Sequence, residues 1–197
     1  MAGKKTTAIP TWKKKKWYEL LAPPIFSEKS LGETNVDTPE KLKGKVISLN
    51  MMHLLGAARK QNFQIKFVVT DVADNKGKTK PIMIKMIPST IRRLVRPGRE
   101  RLDFSFTVRS KDGILLRCKP LIITKDKTSN AKLVDVQKKL KEHIQTYAGS
   151  QDYESIFLAV AQSALQKELK IVLNKVIPMK LVEIRVLEVE KIKGKRL

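Results

Sequence analysis

Two stretches in the first half of the chain have an alternating pattern, which is strict between apolar and polar residues at the start of the first stretch. Residues 63–69 begin with apolar side chains at every second position, and residues 81–87 repeat the pattern. Such alternation places the apolar side chains on one face of a strand, so both stretches are predicted to be β-strands. The segment Asp74-Asn75-Lys76-Gly77 between them has the composition of a tight turn, in which Gly77 is expected to supply the positive φ.

A second pair of strands is predicted by the same pattern further along the chain. Residues 102–109 alternate, Lys111-Asp112-Gly113 has turn chemistry, and residues 114–118 are mostly apolar. This order predicts a β-hairpin. A last strand is predicted at residues 181–189, where the apolar positions change phase between residues 186 and 187, and such a change indicates a β-bulge.

The pattern changes to a helical period in the last third of the chain. Apolar residues three and four positions apart predict a helix with one buried face; they are Leu133, Val136, Leu140, Ile144 and Tyr147. A second helix is predicted from Tyr153 to Ile177, because Pro178 cannot continue it. The order of elements predicts an α+β fold: a mostly antiparallel sheet or a small β-barrel, then two C-terminal helices and a last strand, with basic extended termini.

Charge indicates the class of partner. The chain of 197 residues has 41 Lys and Arg against 19 Asp and Glu, a net charge of +22. A surface this basic attracts polyanions, and nucleic acid is the polyanion whose regular phosphates release counterions at each cationic contact. No run of about 18 apolar residues is present, so we expect no membrane partner. The single Cys118 cannot form an internal disulfide, which is typical of a reducing cytoplasm.

Basic residues are concentrated in both termini. We predict a basic N-terminal extension of residues 1–20, a single core domain of residues 21–190, and a basic tail of residues 191–197. Low apolar content and self-repulsion favour extended, solvated tails, and a merely solubilising role is the alternative to binding. Trp17 and Tyr18 are expected to anchor the first extension to the core, with base stacking as the alternative.

The richest internal basic segment is Ile91 to Arg101, which contains five arginines and one acid. The planar guanidinium of arginine can bind a phosphate through two hydrogen bonds. Ser89 is expected to cap a short helix that places Arg92 and Arg96 on one face. A solvated, charged turn is the alternative. The predicted RNA-binding residues are Lys4, Lys5, Lys13, Lys14, Lys15, Lys16, Arg92, Arg93, Arg96, Arg99, Arg101, Lys138, Lys139, Lys193, Lys195 and Arg196.

Candidate catalytic and metal-binding residues are few. His53 and His143 are far apart in sequence, and Cys118 is on a predicted strand, where a buried thiol is inert. Zinc sites of the usual kind need Cys and His in close pairs, and no glycine-rich phosphate loop is present. His53 lies among apolar residues and is expected to pack. We therefore expect no cofactor, no metal and no enzymatic activity.

Four short motifs occur in the order that a known family has. They are Lys16-Trp17-Tyr18 with Ala22-Pro23 and Phe26, then Leu42 with Gly44-Lys45-Val46, then Asp112 to Arg117, and Ile184-Arg185-Val186 near the end. In these residues the chain resembles the small-subunit ribosomal protein S-three-a (S-one-e) family of archaea and eukaryotes, over roughly residues 13–190. The chain is shorter than eukaryotic members and is without their long C-terminal extension, so an archaeal member is expected.

The resemblance implies a structural constituent of the small ribosomal subunit, on the platform near the messenger RNA exit. It implies small-subunit ribosomal RNA and neighbouring ribosomal proteins as partners, messenger RNA near the exit as a further candidate, and a location in the ribosome of the cytoplasm. We do not expect homo-oligomers. The alternative is a free-standing RNA- or DNA-binding protein outside the ribosome, which would be expected to dimerise or to carry an aromatic base-stacking platform.

Overall fold

In the computed structural model, residues 15–190 are described, and they form nine strands and five helices. The elements in chain order are β1 (Lys16–Leu21), β2 (Ser30–Val36), β3 (Val46–Asn50), α1 (Met51–Leu55), β4 (Phe63–Ala73), β5 (Lys76–Met86), α2 (Pro88–Leu94), β6 (Arg101–Asp103), β7 (Phe106–Arg109), β8 (Leu115–Thr124), α3 (Asn130–Ser150), α4 (Tyr153–Gln162), α5 (Ala164–Asn174) and β9 (Met179–Val189). The predicted α+β class is confirmed.

The strands form one open, mixed sheet. Its order is β2-β1-β5-β9-β8-β6, while β4 pairs with both β5 and β3, and β7 pairs with β8. Every pair is antiparallel except β1 with β5, which is parallel. Of the two predicted arrangements, the mostly antiparallel sheet is confirmed and the closed barrel is not formed.

Strand β5 divides this sheet into two regions. Lys76 to Lys78 at its start pair with β1, whereas Met83 to Lys85 near its end pair with β9. Because a strand rises about 3.3 Å per residue, the two pairings lie roughly 20 Å apart along β5. The pair β1–β2 and the group β9–β8–β6 therefore extend from opposite ends of one strand.

The hairpin β4–β5 confirms the predicted alternation of residues 63–69, whose odd-numbered side chains are buried. Its turn is made by Asp74 and Asn75, both with positive φ (48° and 59°). The expectation that Gly77 supplies the positive φ is wrong. Gly77 is instead required by close packing, because a Cβ there would lie 2.6 Å from Cδ2 of the buried Leu20 in β1.

The second predicted hairpin is confirmed as β7–β8, with Gly113 at φ 79° in its turn. The long strand predicted before it is interrupted after β6, and both β6 and β7 pair with β8. The backbone N–H of Tyr153 donates to Oδ2 of Asp112 at 3.1 Å, so the hairpin turn caps helix α4. In β9 the registers Lys119↔Val186 and Pro120↔Ile184 place the bulge one residue before the predicted site.

The apolar stripe of α3 is buried as predicted, except that Tyr147 is half-buried and Ala148 completes the stripe. The single helix predicted at residues 153–177 is wrong, because Ser163 has a left-handed φ of 62° and separates α4 from α5. The change of direction lets both helices bury an apolar face. Three C-terminal helices therefore stand in place of the predicted two. Within residues 15–190, no helix is long and apolar enough to cross a membrane.

The chain from residue 16 is part of the sheet. Strands β1 and β2 were not predicted, and the boundary expected at residue 20 falls inside β1. Tyr18 is buried as expected, but Trp17 is 62% exposed, so its predicted packing on the core is wrong. The reason is alternation: when Tyr18 faces inward, Trp17 must face outward. Phe26 is buried and packs edge-to-face on Phe67 of β4, with ring centroids 5.9 Å apart.

Candidate nucleic-acid interface

The arginine-rich segment begins in α2, whose first turn is held by side-chain hydrogen bonds. Pro88 is at the start of the helix, so Ser89 lies inside it and does not cap it as predicted. The buried Thr90 donates its hydroxyl to Oδ1 of Asn62 at 3.0 Å, and Nη2 of Arg93 donates to Oγ1 of Thr90 at 3.2 Å. These bonds fix α2 against the chain that precedes β4.

The five arginines of this segment differ in their surroundings. Arg92 and Arg96 are exposed, and within the described part of the chain neither side chain forms an ion pair or a hydrogen bond. The helix ends before Arg96, so the two do not share a helical face. Arg101 is paired with Asp103, with Nη2 and Oδ2 2.5 Å apart. Arg99 is half-buried, and its enclosed Nη1 has no hydrogen-bond partner. Arg92 and Arg96 are thus the most available to an anion.

Two other segments, the end of β8 and the start of β9, meet the arginine-rich segment at the same end of the sheet. The backbone N–H of Thr124 donates to the carbonyl of Glu100, and that of Lys125 donates to the carbonyl of Pro178, each at 3.1 Å. The end of β8 and the starts of β6 and β9 therefore lie side by side. We call this surface the cationic end; its basic residues are Arg92, Arg93, Arg96, Arg99, Lys125, Lys127, Lys132, Lys175 and Lys180.

Lys180 shows the electrostatic character of the cationic end. Its side chain is on the surface, and Nζ of Lys170 donates to its carbonyl at 3.3 Å. The pKa of Lys180 is lowered, first by partial desolvation and then by the positive charges of Arg99 and Arg96. Two arginine charges therefore act on Lys180 at this surface.

Helix α3 continues the cationic end along one side. Lys132 lines an open groove of about 370 Å³ with Lys127 and the chain before β9. The predicted residues Lys138 and Lys139 are exposed on the side of α3 away from its buried stripe. Lys139 is seven residues after Lys132, which places the two on the same helical face about 10 Å apart. These lysines can therefore bind the same polyanion as the residues that line the groove.

The other predicted residues are not brought to this surface. Lys15 and Lys16 are exposed at the start of β1, and the length of β5, roughly 35 Å, separates that region from α2. The remaining predicted residues lie outside the described residues 15–190: Lys4, Lys5, Lys13, Lys14, Lys193, Lys195 and Arg196.

Two groups of basic residues were missed by the sequence analysis. The lysines of the β8–α3 and α5–β9 connections join the arginines only through long-range pairing, so no local signal could have found them. Lys76, Lys78 and Lys80 form an exposed row on β5. Their alternation with Gly77 and Thr79 is visible in the sequence and could have indicated a basic strand face.

The structure also shows where the few candidate catalytic and metal-binding residues of the sequence lie. Cys118 is buried, and burial raises the pKa of its thiol to about 12, which keeps it protonated and unreactive. His53 is exposed on α1, so the expectation that it packs is wrong. Among residues 15–190, no three His, Cys, Asp or Glu side chains are grouped so that they could hold a metal ion.

The fold and the surface together define a class: a strongly basic α+β protein with one open sheet and a cationic surface where three strand ends meet. The sequence model of the Ribosomal S3Ae family matches residues 3–193, so the chain belongs to that family. The resemblance found from the short motifs is thereby confirmed.

Archaeal relatives agree with this assignment over most of the chain. The small ribosomal subunit protein eS1 of Nanoarchaeum equitans is 30% identical over 167 residues, which is 85% of this chain and 84% of the relative. The protein of the same name from Methanothermobacter thermautotrophicus is 30% identical over 181 residues, covering 90% and 93%. That of Methanospirillum hungatei is 29% identical over 192 residues, covering 96% and 97%.

Proposed function

We propose that this protein is a structural component of the small ribosomal subunit and binds ribosomal RNA through the cationic end. Its relatives carry the name of a small ribosomal subunit protein, and the family is one of ribosomal proteins. A member of such a family is a structural protein and not an enzyme. Its proposed location is the ribosome of the cytoplasm.

One observation supports RNA binding most: basic side chains from α2, α3 and two strand connections converge where three strands begin or end. Contacts with phosphate need charge and reach, and a surface shared by several rigid elements holds the charges at fixed spacing. No aromatic cluster accompanies the arginines in the sequence, so we expect the surface to recognise phosphates and RNA shape rather than bases.

The finer parts of the proposal concern organisation and neighbours. We propose a core that starts at residue 16 rather than 21, with the preceding and following basic segments as RNA-binding arms. The position on the platform near the messenger RNA exit rests on the family resemblance alone. Neighbouring ribosomal proteins and messenger RNA are the further proposed partners, and the protein is proposed to enter the subunit as a single copy.

The test removes three arginines together, Arg92→Ala, Arg93→Ala and Arg96→Ala. We expect weaker binding to small-subunit RNA at every salt concentration, and a log–log salt slope that falls by up to about one unit per lost phosphate contact. Thermal unfolding and far-ultraviolet circular dichroism should be nearly unchanged, because these side chains are on the surface.

The matched control removes the same number of charges from the opposite end of the sheet, as Lys41→Ala, Lys43→Ala and Lys45→Ala. If net charge alone governs binding, the two triple variants will weaken it equally, and the cationic end is then not the interface. In cells, only the arginine variant should be depleted from small subunits sedimented through a high-salt gradient. Equal recovery of both variants would also contradict the proposal.

A further inference from the structure

The segment from Trp17 to Glu40 has the opposite charge to the rest of the protein. It contains the acids Glu19, Glu28, Glu33, Asp37 and Glu40 and a single basic residue, Lys29, for a net charge of −4 in a chain of net charge +22. We call it the acidic hairpin, since β1 and β2 form most of it. Lysines border it, among them Lys16 at the start of β1 and Lys76 beside Glu19 on β5, so its acidic centre is the cross-strand pair Glu19 and Glu33.

The exposed face of the acidic hairpin carries a large aromatic side chain. Register pairs Trp17 with Asn35 and Glu19 with Glu33, while Tyr18 on the alternate face is buried. Trp17 is 62% exposed. An exposed tryptophan on a rigid strand loses little entropy on binding, and tryptophan is the residue most often dominant in protein–protein contacts.

Two like charges lie directly opposite each other beside this tryptophan. Glu19 and Glu33 are cross-strand partners, and such pairs destabilise an isolated sheet. Lys76 lies beside Glu19 in the register of β5, yet within residues 15–190 neither glutamate forms an ion pair. A cation from outside would relieve the repulsion.

The acidic hairpin also ends in an unpaired strand edge. Within the described residues β2 pairs only with β1, so one row of its backbone N–H and C=O groups has no strand beside it. An open edge of this kind can accept an extended peptide as an added strand. Main-chain pairing gives such a contact affinity, and alternate side chains give it specificity.

We propose that the acidic hairpin binds a basic, extended segment of another protein. The segment pairs with β2 through its backbone, its Lys or Arg side chains meet Glu33 and Glu19, and one cation stacks on the ring of Trp17. The protein thus has an RNA-binding end and a protein-binding end. This inference goes beyond the proposed RNA contact, but it rests on the proposed place of the protein in the small subunit.

The experiment replaces Trp17 with the photo-crosslinker p-benzoylphenylalanine in the full-length protein expressed in cells. Small subunits are purified, irradiated and digested, and the peptides attached at position 17 are identified by mass spectrometry. We expect one segment of another protein with a clear excess of Lys and Arg. As a control, the crosslinker replaces Val134, which is exposed on α3 away from the acidic hairpin. Position 134 should not attach to that segment.

Charge variants decide whether the contact is the proposed one. Glu19→Lys with Glu33→Lys should reduce the yield of the crosslink several-fold, whereas Asp135→Lys with Glu168→Lys, the same charge change on exposed helical positions, should not. Attachment to RNA, to the chain's own N-terminal residues or to nothing would overturn the proposal. If the protein were absent from small subunits, the proposed function would fail instead, so the two failures are distinguishable.

Discussion

The cationic end and the acidic hairpin are built on the same strand and have opposite surface chemistry. Both extend from β5, the hairpin from its first residues and the cationic end from its last. At one end, the positive charges of Arg96 and Arg99 act on Lys180. At the other, Glu19 lies opposite Glu33. Each region therefore brings like charges close together.

The difference shows what a net charge of +22 conceals. The net charge alone predicts one polyanionic partner. The distribution of charge along the chain is the basis for the two proposed partners of opposite charge. Local conflicts of this kind weaken a folded chain slightly, and they are expected where binding supplies the missing charge. We infer that repulsion between like charges is strongest at the two proposed interfaces of the free protein, and three experiments test this inference.

The largest expected effect tests how the acidic hairpin is attached to the rest of the sheet. Phe26 packs edge-to-face on Phe67, which is fully buried in β4. Phe26→Ala leaves a cavity at this junction and should lower the free energy of unfolding by about 3–5 kcal/mol, measured by urea denaturation. Hydrogen exchange should accelerate in β1 and β2 before it does in β8 and β9.

The control for this change is Phe104→Ala. Phe104 is half-buried between β6 and β7 and stacks on Phe106 with ring centroids 5.7 Å apart, so its removal should cost clearly less. Uniform acceleration of exchange in all strands of the Phe26→Ala variant would show that the two regions unfold as one unit. The two regions would then differ in surface charge but not in their stability against unfolding.

Local periodicity explains which parts of the fold were predictable. The alternation of residues 63–69 and the stripe from Leu133 to Ile144 fix their buried faces without help from the rest of the chain. Ser163 could not be predicted to divide a helix, because no Gly or Pro marks it and its left-handed conformation follows from how α4 and α5 pack. Likewise, the capping of α4 by Asp112 joins residues 41 positions apart.

The candidate site likewise contains residues that were predictable from the sequence and residues that were not. The arginines of residues 92–101 are contiguous, so the sequence revealed them, whereas Lys125 and Lys180 join them only because β8 pairs with β9. The face of Trp17 was predicted wrongly, since one residue of strand register decides whether a side chain is buried or exposed. The acidic hairpin could have been predicted from the sequence, because the net charge of residues 17–40 differs in sign from that of the whole chain.

A smaller effect is expected from relieving the repulsion in the acidic hairpin. Glu33→Gln keeps the size of the side chain and removes one of two opposed charges. It should raise the free energy of unfolding of the isolated protein by about 0.2–1 kcal/mol in low salt. The gain should fade as salt is added, because screening weakens contacts between exposed charges.

The control is Glu28→Gln, which removes an exposed acid of the same hairpin that has no strand residue opposite it. Its stability should stay close to that of the parent. If Glu33→Gln destabilises the protein, the Glu19–Glu33 pair is already compensated within the chain, and the argument for an external cation loses its basis.

The smallest effect is expected at the cationic end, from Lys180→Gln. The pKa of Lys180 is lowered by partial desolvation and by the charges of Arg99 and Arg96, so the folded state holds this proton less tightly than the unfolded state does. At neutral pH the lysine is charged in both states, and its unfavourable surroundings reduce stability. The variant should therefore have a slightly higher thermal midpoint at neutral pH. The increase should be small because the side chain is exposed.

The pH dependence gives the sign of this effect an independent check. As pH rises through the lowered pKa of Lys180 towards the ordinary value of 10.5, the folded state releases its proton first, and the stability of the parent rises relative to the variant. The advantage of Lys180→Gln should thus shrink across that window. Lys78→Gln, which lies opposite Asp71 in the register, should show no advantage at neutral pH. If Lys180→Gln lowers the midpoint at neutral pH, the charges at the cationic end are not in conflict, and only the acidic hairpin would then carry unrelieved repulsion.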